Sequence, residues 1–274
     1  MERCLAFVMS GGGARGALQV GALRALLEAG YKPDLLVGTS IGAANAAGLA
    51  VWGVNMEGIA ALERTYQAMA EGNVMDTPGR LVWHALSGRP SYTSQHMKDL
   101  LVDLGIGPEL TFGHVKHVRM GLVSADMASG QPVIYGLVPT QSILEGVLAS
   151  ASVPPWFMPI ENEDQLIVDG GALSLLPVEP ALSMGATEIV ALDLSGSPSM
   201  SISSHRLSQM NKAISAFVKR ETNLEFALAE AKGVQVHYMQ LLASPPINMW
   251  DFSTYQRLLA TGYETASRYL SDWA

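Results

Sequence analysis

Short runs of apolar residues alternate along this chain with longer segments in which apolar residues recur every three or four positions. The short runs predict buried β-strands, and the longer segments predict amphipathic helices. The predicted strands span residues 5–9, 35–37, 118–124, 133–135, 166–168, 189–194 and 234–241. The predicted helices span residues 16–29, 41–52, 56–71, 94–104, 141–149, 179–184, 206–232 and 253–273.

This alternation predicts the fold class. Continuous apolar strands separated by helices indicate a mostly parallel sheet that is covered on both faces, so we expect an α/β fold, a three-layer α/β/α sandwich. The chain has 274 residues, 49% of them hydrophobic, and α/β folds of this size are commonly one domain. Since no linker divides the sequence into halves, residues 1–274 are expected to form a single domain.

Charge and targeting signals restrict the partners. The net charge of −8 argues against nucleic acid and against electrostatic docking on an anionic membrane. The first apolar segment is too short for a signal peptide, and no apolar run approaches about 18 residues. We therefore expect a cytoplasmic protein whose contact with any membrane surface is transient. The single cysteine, Cys4, excludes an internal disulfide and a cysteine-based metal cage. The oligomeric state is left open.

The second predicted strand runs directly into the pentapeptide Gly-Thr-Ser-Ile-Gly, residues 38–42. A strand, a tight turn and a helix in this order are the context of a nucleophile elbow, with Ser40 as the nucleophile. Gly38 and Gly42 remove Cβ atoms that would collide at such a turn. The following helix would direct its N-terminal amides and the positive end of its dipole at the same place. A plain strand-to-helix turn has the same pattern.

A glycine-rich loop, residues 11–16, follows the first predicted strand and opens the first predicted helix. Gly11, Gly13 and Gly16 satisfy the dinucleotide fingerprint Gly-x-Gly-x-x-Gly, and Asp34 lies near the position of a ribose-binding acid. Two features weigh against a nucleotide. Three consecutive glycines exceed what a pyrophosphate turn needs, and Asp34 precedes its strand, whereas the ribose-binding acid ends its strand.

The same loop suits an oxyanion hole. The backbone amides of Gly11, Gly12 and Gly13 carry no side chain above them, so two of them can converge on one oxygen that gains negative charge. Arg15 would add a fixed positive charge beside them. A tight turn that binds nothing remains the third interpretation of this loop.

A serine hydroxyl needs a base, and the sequence offers an aspartate in a better position than any histidine. The histidines lie at positions 84, 96, 114, 117, 205 and 237, and none follows a strand in a short glycine-flanked loop. Asp169 ends the strand at 166–168 and precedes Gly170 and Gly171, so its carboxylate is expected at the sheet edge with open space around it. Partial burial and a hydrogen bond to Ser40 would make it a base. An aspartate that only caps the turn fits equally well.

Taken in order, the motifs at residues 11–16, 38–42 and 169–171 resemble those of the patatin-like phospholipase family, within its bacterial lysophospholipase-like acyl hydrolases. The block Ala-Ser-Ala-Ser-Val-Pro at 149–154, followed by Phe157 and Pro159, is similar to a further block of that family. The resemblance covers almost the whole chain and implies the family's patatin-like α/β/α fold. It also implies an enzyme that hydrolyses carboxylic esters of lipids, as a phospholipase A or lysophospholipase.

The resemblance assigns roles to the candidate residues. It implies a dyad of Ser40 and Asp169 without a histidine, an acyl-serine intermediate, an oxyanion hole made by the glycine loop, and no metal or cofactor. Arg15 would orient the loop or contact a lipid phosphate. Alternatives are an acyltransferase that uses the same dyad, a nucleotide-binding module that uses residues 11–16, and a catalytically silent scaffold. One departure concerns residues 174–178, Ser-Leu-Leu-Pro-Val, where family members often carry asparagines. It puts in question the side-chain support of the aspartate loop.

Overall fold

The structure, a computed structural model, describes residues 3–72, 92–154, 157–161, 164–196 and 205–273. Its strands are β1 (Leu5–Met9), β2 (Leu35–Thr39), β3 (Arg119–Asp126), β4 (Gln131–Tyr135), β5 (Ile160–Glu161), β6 (Leu166–Asp169), β7 (Glu188–Asp193) and β8 (Gln235–Gln240). Its α-helices are α1 (Gly16–Glu28), α2 (Ile41–Trp52), α3 (Met56–Glu71), α4 (Tyr92–Asp103), α5 (Ile143–Ser150), α6 (Val178–Ser183), α7 (His205–Ala231) and α8 (Tyr255–Trp273). Single turns of 3₁₀ helix span Gly13–Arg15, Phe112–His114, Gly170–Ala172 and Phe252–Thr254.

The strands form one mixed sheet in the order β5-β6-β3-β2-β1-β7-β8, and β4 pairs with β3 outside this path. Strands β3, β2, β1, β7 and β8 run parallel to one another. Strands β4 and β6 run antiparallel to β3, and β5 runs antiparallel to β6. The mostly parallel α/β sheet predicted from the hydrophobic pattern is confirmed.

Alternation along the central strand separates two apolar cores. Phe7 and Met9 of β1 pack with residues of α1, α2, α3, α4, α5 and α8 on one face of the sheet. Ala6 and Val8 of the same strand pack with residues of α6 and α7 on the other face. Because successive residues of a strand point to opposite faces, β1 must be apolar throughout to serve both cores. The result is the predicted three-layer arrangement.

The two edges of β3 determine where the candidate motifs meet. Residues 122–126 pair with β4 along one edge, so β2 and β6 must share the other edge, end to end. Thr39, the last residue of β2, lies opposite Val123. Asp169, the last residue of β6, lies opposite Ser124. Neighbouring positions on a strand are only about 3.3 Å apart along its axis, so the ends of β2 and β6 come together.

The predicted elements agree with the observed ones to within two residues at each described boundary. The sequence pattern did not predict the two-residue strand β5. The pattern also did not predict the direction of β6, which is antiparallel to β3 and carries Asp169 at its end. Within the described residues, no helix combines the length and the apolar character needed to cross a bilayer.

Candidate active site

Ser40 lies in a strained turn between β2 and α2. Its φ of 57° and ψ of −122° make it the only non-glycine residue with positive φ in the described part of the chain. Such a conformation costs about 1–3 kcal/mol and persists only where its surroundings enforce it. The Ser40 carbonyl accepts hydrogen bonds from the amides of Ala43 and Ala44, at 2.9 and 3.1 Å, which starts the helix directly after the serine. This is the strand–turn–helix geometry predicted for an elbow.

Gly38 and Gly42 make the turn sterically feasible. A Cβ atom on Gly42 would meet the carbonyl oxygen of Met9, the last residue of β1. A Cβ atom on Gly38 would meet the carbonyl oxygen of Gly42. The start of α2 can therefore pack directly against the ends of β1 and β2, which brings Ser40 beside the glycine loop.

Asp169 is a partly buried carboxylate, and only one of its two oxygens accepts a hydrogen bond from the described residues. Its Oδ1 accepts a hydrogen bond of 2.7 Å from the Gly171 amide. Its Oδ2 is shielded from solvent and has no hydrogen-bond partner among the described residues. Burial raises the pKa of Asp169 to about 6, while the Ser40 hydroxyl and the Gly171 amide act in the lowering direction. The carboxylate is thus not in open space, contrary to the expectation from the glycines that follow it.

The Ser40 hydroxyl approaches this carboxylate closely enough to influence its pKa. No hydrogen bond of standard geometry joins Oδ2 to any group in the described part of the chain. Catalytic hydrogen bonds are often long or poorly aligned until a substrate is bound, so this geometry suits a pair that tightens on binding.

The C-terminal end of α5 fixes the backbones of both candidate residues. The Ser40 amide donates to Ser150 Oγ at 2.9 Å, and Ser150 Oγ in turn donates to the Val123 carbonyl. The Asp169 amide donates to the Ser152 carbonyl at 2.9 Å. The block at 149–154, which the sequence singled out only by resemblance, therefore joins the ends of β2 and β6.

The glycine loop lies against Ser40, but its three amides differ. The Gly11 amide donates to the Leu175 carbonyl at 3.0 Å, so it is not available as an oxyanion donor in this structure. The buried amides of Gly12 and Gly13 have no hydrogen-bond acceptor among the described residues. A Cβ atom on Gly11 would lie 3.2 Å from that of Ser40. Of the three expected oxyanion donors, the amides of Gly12 and Gly13 remain available.

Arg15 determines the orientation of this loop. Its Nε donates to the Gly12 carbonyl and its Nη1 to the Leu194 carbonyl, both at 3.1 Å. Because the peptide unit is planar and trans, holding the Gly12 carbonyl on one side turns the Gly13 amide to the other. Burial lowers the pKa of Arg15. These contacts favour the loop-orienting role of Arg15 over contact with a lipid phosphate.

Asp34 does not approach the glycine loop. Its Oδ2 accepts from the Leu5 amide at 2.8 Å, at the N-terminal ends of the strands. The glycine loop begins at the C-terminal end of β1, and five residues of strand separate the two ends by about 17 Å. A ribose-binding role for Asp34 is therefore excluded, and with it the main support for a nucleotide.

A narrow apolar cavity of about 60 Å³ opens beside Ser40 and Gly13. Its walls come from α2, α3, α4, α5 and the segment 249–252, and they are almost entirely apolar. Phe157 belongs to this wall and is itself buried, whereas Pro155 and Trp156 lie outside the described residues. Other members of the wall are Trp52, Leu62, Met69, Met97 and Leu101.

Residues 7–182 of this chain match the family model described as patatin-like phospholipase. This chain is a member of that family. All three candidate motifs, at residues 11–16, 38–42 and 169–171, fall inside the matched region.

The chain spans less than a third of the length of the two curated relatives described here. An uncharacterized NTE family protein of Mycobacterium tuberculosis (strain CDC 1551 / Oshkosh) is 32% identical over 70% of this chain and 30% of its own length. Patatin-like phospholipase domain-containing protein 7 of Mus musculus is 30% identical over 69% of this chain and 13% of its own length. The crystal structure of VipD from Legionella pneumophila aligns with 99% of this chain and over 67% of the VipD chain, at a TM-score of 0.52 and 16% sequence identity. This likeness shows the fold alone.

A buried polar network, which the sequence patterns did not reveal, lies beneath the glycine loop of this family member. Gln19 Nε2 donates to the Ser10 carbonyl at 2.9 Å, and Asn45 Nδ2 donates to Gln19 Oε1 at 3.0 Å and to the Gly16 carbonyl at 3.1 Å. Tyr66 Oη donates to Asn45 Oδ1 at 3.1 Å. The sequence did carry a signal for this network: Gln19 and Asn45 are polar residues at positions of α1 and α2 that otherwise face the core.

Histidines of the described residues take no part in the contacts of Ser40 and Asp169 given above. None of those in the described residues forms a hydrogen bond with Ser40 or Asp169. His84 lies outside the described residues, as does the side chain of His205.

Proposed function

We propose that this chain is a serine acyl hydrolase that cleaves lipid esters, as a phospholipase A or a lysophospholipase, with Ser40 as nucleophile and Asp169 as base. The observation that carries the proposal is the end-to-end placement of β2 and β6 along β3, which joins a strained serine to a half-buried carboxylate. Membership of the patatin-like phospholipase family supports a lipid acyl hydrolase. The apolar walls of the cavity beside Ser40 suit a short acyl chain.

In the first step, Ser40 Oγ attacks the ester carbonyl carbon and its proton passes to Asp169 Oδ2. The carbonyl oxygen becomes an oxyanion, which the amides of Gly12 and Gly13 stabilise by about 3 kcal/mol for each donor. The carbon–oxygen bond to the alcohol then breaks, and the protonated Asp169 returns its proton to the leaving oxygen. An acyl-serine remains.

In the second step, Asp169 removes a proton from a water molecule that attacks the acyl-serine. The same amides hold the second oxyanion, and Ser40 Oγ leaves with the proton from Asp169. A carboxylate whose pKa lies near 6 can both accept and return a proton at neutral pH, whereas one near 4 would return it poorly.

The test uses a fluorescent fluorophosphonate, which labels activated serines, together with hydrolysis of p-nitrophenyl butyrate. We expect the wild type to be labelled and active, and Ser40→Ala to lose both properties. Asp169→Asn should lose hydrolysis and slow labelling strongly, because the nucleophile lacks its base. Ser271→Ala, which alters an exposed serine on α8, is the matched control and should match the wild type.

An unlabelled wild type, or labelling of Ser40→Ala at the wild-type rate, would overturn the proposal. Circular dichroism of each variant establishes that loss of activity is not loss of fold. Product analysis with an added alcohol acceptor separates hydrolysis, which releases free fatty acid, from acyl transfer, which yields a new ester.

A further inference from the structure

The loop that connects Asp169 to α6 contacts all three candidate motifs through its backbone. The Ser174 amide donates to the Gly170 carbonyl at 2.8 Å, which closes the turn after the aspartate. The Ser174 carbonyl accepts from Thr39 Oγ1 at 2.8 Å, next to Ser40 in sequence. The Leu175 carbonyl accepts from the Gly11 amide at 3.0 Å. A displacement of residues 174–175 would therefore reach the base, the elbow and the glycine loop together.

A buried carboxylate from α7 holds this loop from behind. Glu225, which is 6% exposed, accepts a hydrogen bond of 2.7 Å from Ser174 Oγ. It also accepts from the amides of Val178 and Glu179, the first two residues of α6. All three donors belong to the segment that follows Asp169, so one side chain fixes that segment to α7.

A second carboxylate, Glu221, lies one helical turn earlier on α7 and is close to Glu225. Burial and the proximity of Glu225 raise the pKa of Glu221 well above its usual range. Glu225 itself faces three hydrogen-bond donors, the Ser174 hydroxyl and the amides of Val178 and Glu179. A buried carboxylate is tolerated when it is hydrogen-bonded in this way, and removal of such an acceptor leaves its donors unsatisfied.

The support of this loop comes from a helix outside the region that the family model matches. The Ser174 hydroxyl finds its acceptor, Glu225, on α7. Helix α7 begins at His205, beyond residues 7–182 that the family model matches. The anchor therefore comes from outside the matched region.

We propose that Glu225 and Ser174 are positioning residues of the active site, and that they act by holding the loop that sets Asp169, Thr39 and Gly11 relative to one another. Neither residue contacts substrate in this account. The inference rests on the proposed hydrolase function and deepens it, because it names a support that acts through the base and the glycine loop at once.

The test compares Ser174→Ala, Glu225→Gln and the double variant with the wild type. In Ser174→Ala one donor to Glu225 is lost, and in Glu225→Gln an amide NH₂ meets backbone donors. We expect each single variant to lower kcat for p-nitrophenyl butyrate about tenfold with KM unchanged within about twofold, since a misplaced catalytic group slows chemistry more than binding. Fluorophosphonate labelling of Ser40 should slow in parallel.

Coupling and a matched control complete the design. Because the two residues act through one hydrogen bond, the double variant should be no slower than Glu225→Gln alone, whereas independent effects would multiply. Glu230→Gln, an exposed carboxylate on the same helix, should match the wild type.

The outcomes separate this inference from the function on which it rests. If the wild type is labelled and Ser174→Ala keeps the wild-type kcat and labelling rate, the positioning role is wrong and the hydrolase remains. A lower melting temperature with unchanged kcat would likewise overturn it, because a purely structural anchor predicts that result. If the wild type itself is not labelled, both proposals fail.

Discussion

At the scale of single residues, Asp169 must meet two opposing demands. As a base it has to be ionised near neutral pH, yet a carboxylate with an ordinary pKa of about 4 accepts a proton poorly. Burial moves the pKa of Asp169 to about 6, which improves the base at a cost in stability, because the ionised form is penalised in the folded state.

The first prediction at this scale concerns Asp169→Asn. Since the pKa of Asp169 is raised in the folded protein, its favourable contribution is complete below the unfolded value of about 3.9 and is lost as pH rises through about 6. That loss amounts to about 3 kcal/mol. Asp169→Asn cannot ionise, so its free energy of unfolding should exceed that of the wild type by about this amount at pH 8, with no excess near pH 4.

Urea unfolding at pH 4, 6 and 8 measures this difference. Asp272→Asn, at an exposed position near the end of α8, is the control and should track the wild type at every pH. In parallel, kcat/KM of the wild type should rise through pH 6 and level off above it, because the ionised carboxylate is the active form. An excess stability of Asp169→Asn that did not grow with pH would contradict the assignment.

The residue scale also shows what sequence reasoning could reach. The positions of Ser40 and Asp169 follow from local patterns, since each stands at the end of an apolar run and beside glycines. The engagement of the Gly11 amide could not be predicted, because its acceptor, Leu175, is distant in sequence and is brought there by the fold. The role of Glu225 could not be predicted either, because a charged residue on a long helix usually faces solvent.

At the scale of secondary-structure elements, the junction of β2 and β6 on β3 is the feature that makes the site. The hydrophobic pattern predicted every strand except β5, but it did not predict which strands run antiparallel, because an apolar run of four residues is the same in either direction. The turn between β3 and β4, which includes Gly130 at a φ of 69°, was a local hairpin signal. It implies that one edge of β3 is filled by β4, and β6 must then use the other.

A prediction at this scale concerns α5, which fixes the ends of both strands. Ser150→Ala removes the acceptor of the Ser40 amide, so the strained elbow loses a hydrogen bond that supports it. We expect kcat for p-nitrophenyl butyrate to fall about tenfold or more with little change in KM, since the position of the nucleophile is disturbed.

Ser152→Ala is the matched control for this helix. Its hydroxyl donates to the Leu148 carbonyl one turn earlier, while its contact with Asp169 uses the backbone carbonyl and survives the substitution. We expect Ser152→Ala to keep kcat near the wild-type value. Equal losses in the two variants would indicate that α5 contributes general stability and does not position Ser40 specifically.

At the scale of the whole molecule, the cavity beside Ser40 gathers side chains from distant parts of the chain. Gly13 lies near the start, Met97 and Val147 in the middle, and Phe252 near the end. No local pattern predicts such a cavity, because it depends on how α2, α3, α4 and α5 pack around the elbow. With a volume of about 60 Å³, it admits only a short acyl chain unless its walls move.

This size leads to a prediction about substrate length. Each methylene that becomes buried contributes about 0.8 kcal/mol, or about fourfold in kcat/KM, provided that there is room for it. In a series of p-nitrophenyl esters from acetate to dodecanoate, kcat/KM of the wild type should rise over the shortest acyl groups and then fall. Met97→Ala shortens a flexible side chain in the cavity wall, so the optimum should move to longer acyl groups.

Met56→Ala is the control, because Met56 is 40% exposed at the start of α3 and does not line the cavity. Its length profile should coincide with that of the wild type. All esters are compared below their aggregation concentration, so that the profile reports the cavity and not the physical state of the substrate. If Met97→Ala changes the rate equally for all chain lengths, the acyl chain does not enter this cavity, and the route of the substrate to Ser40 must lie elsewhere on the edge of the sheet.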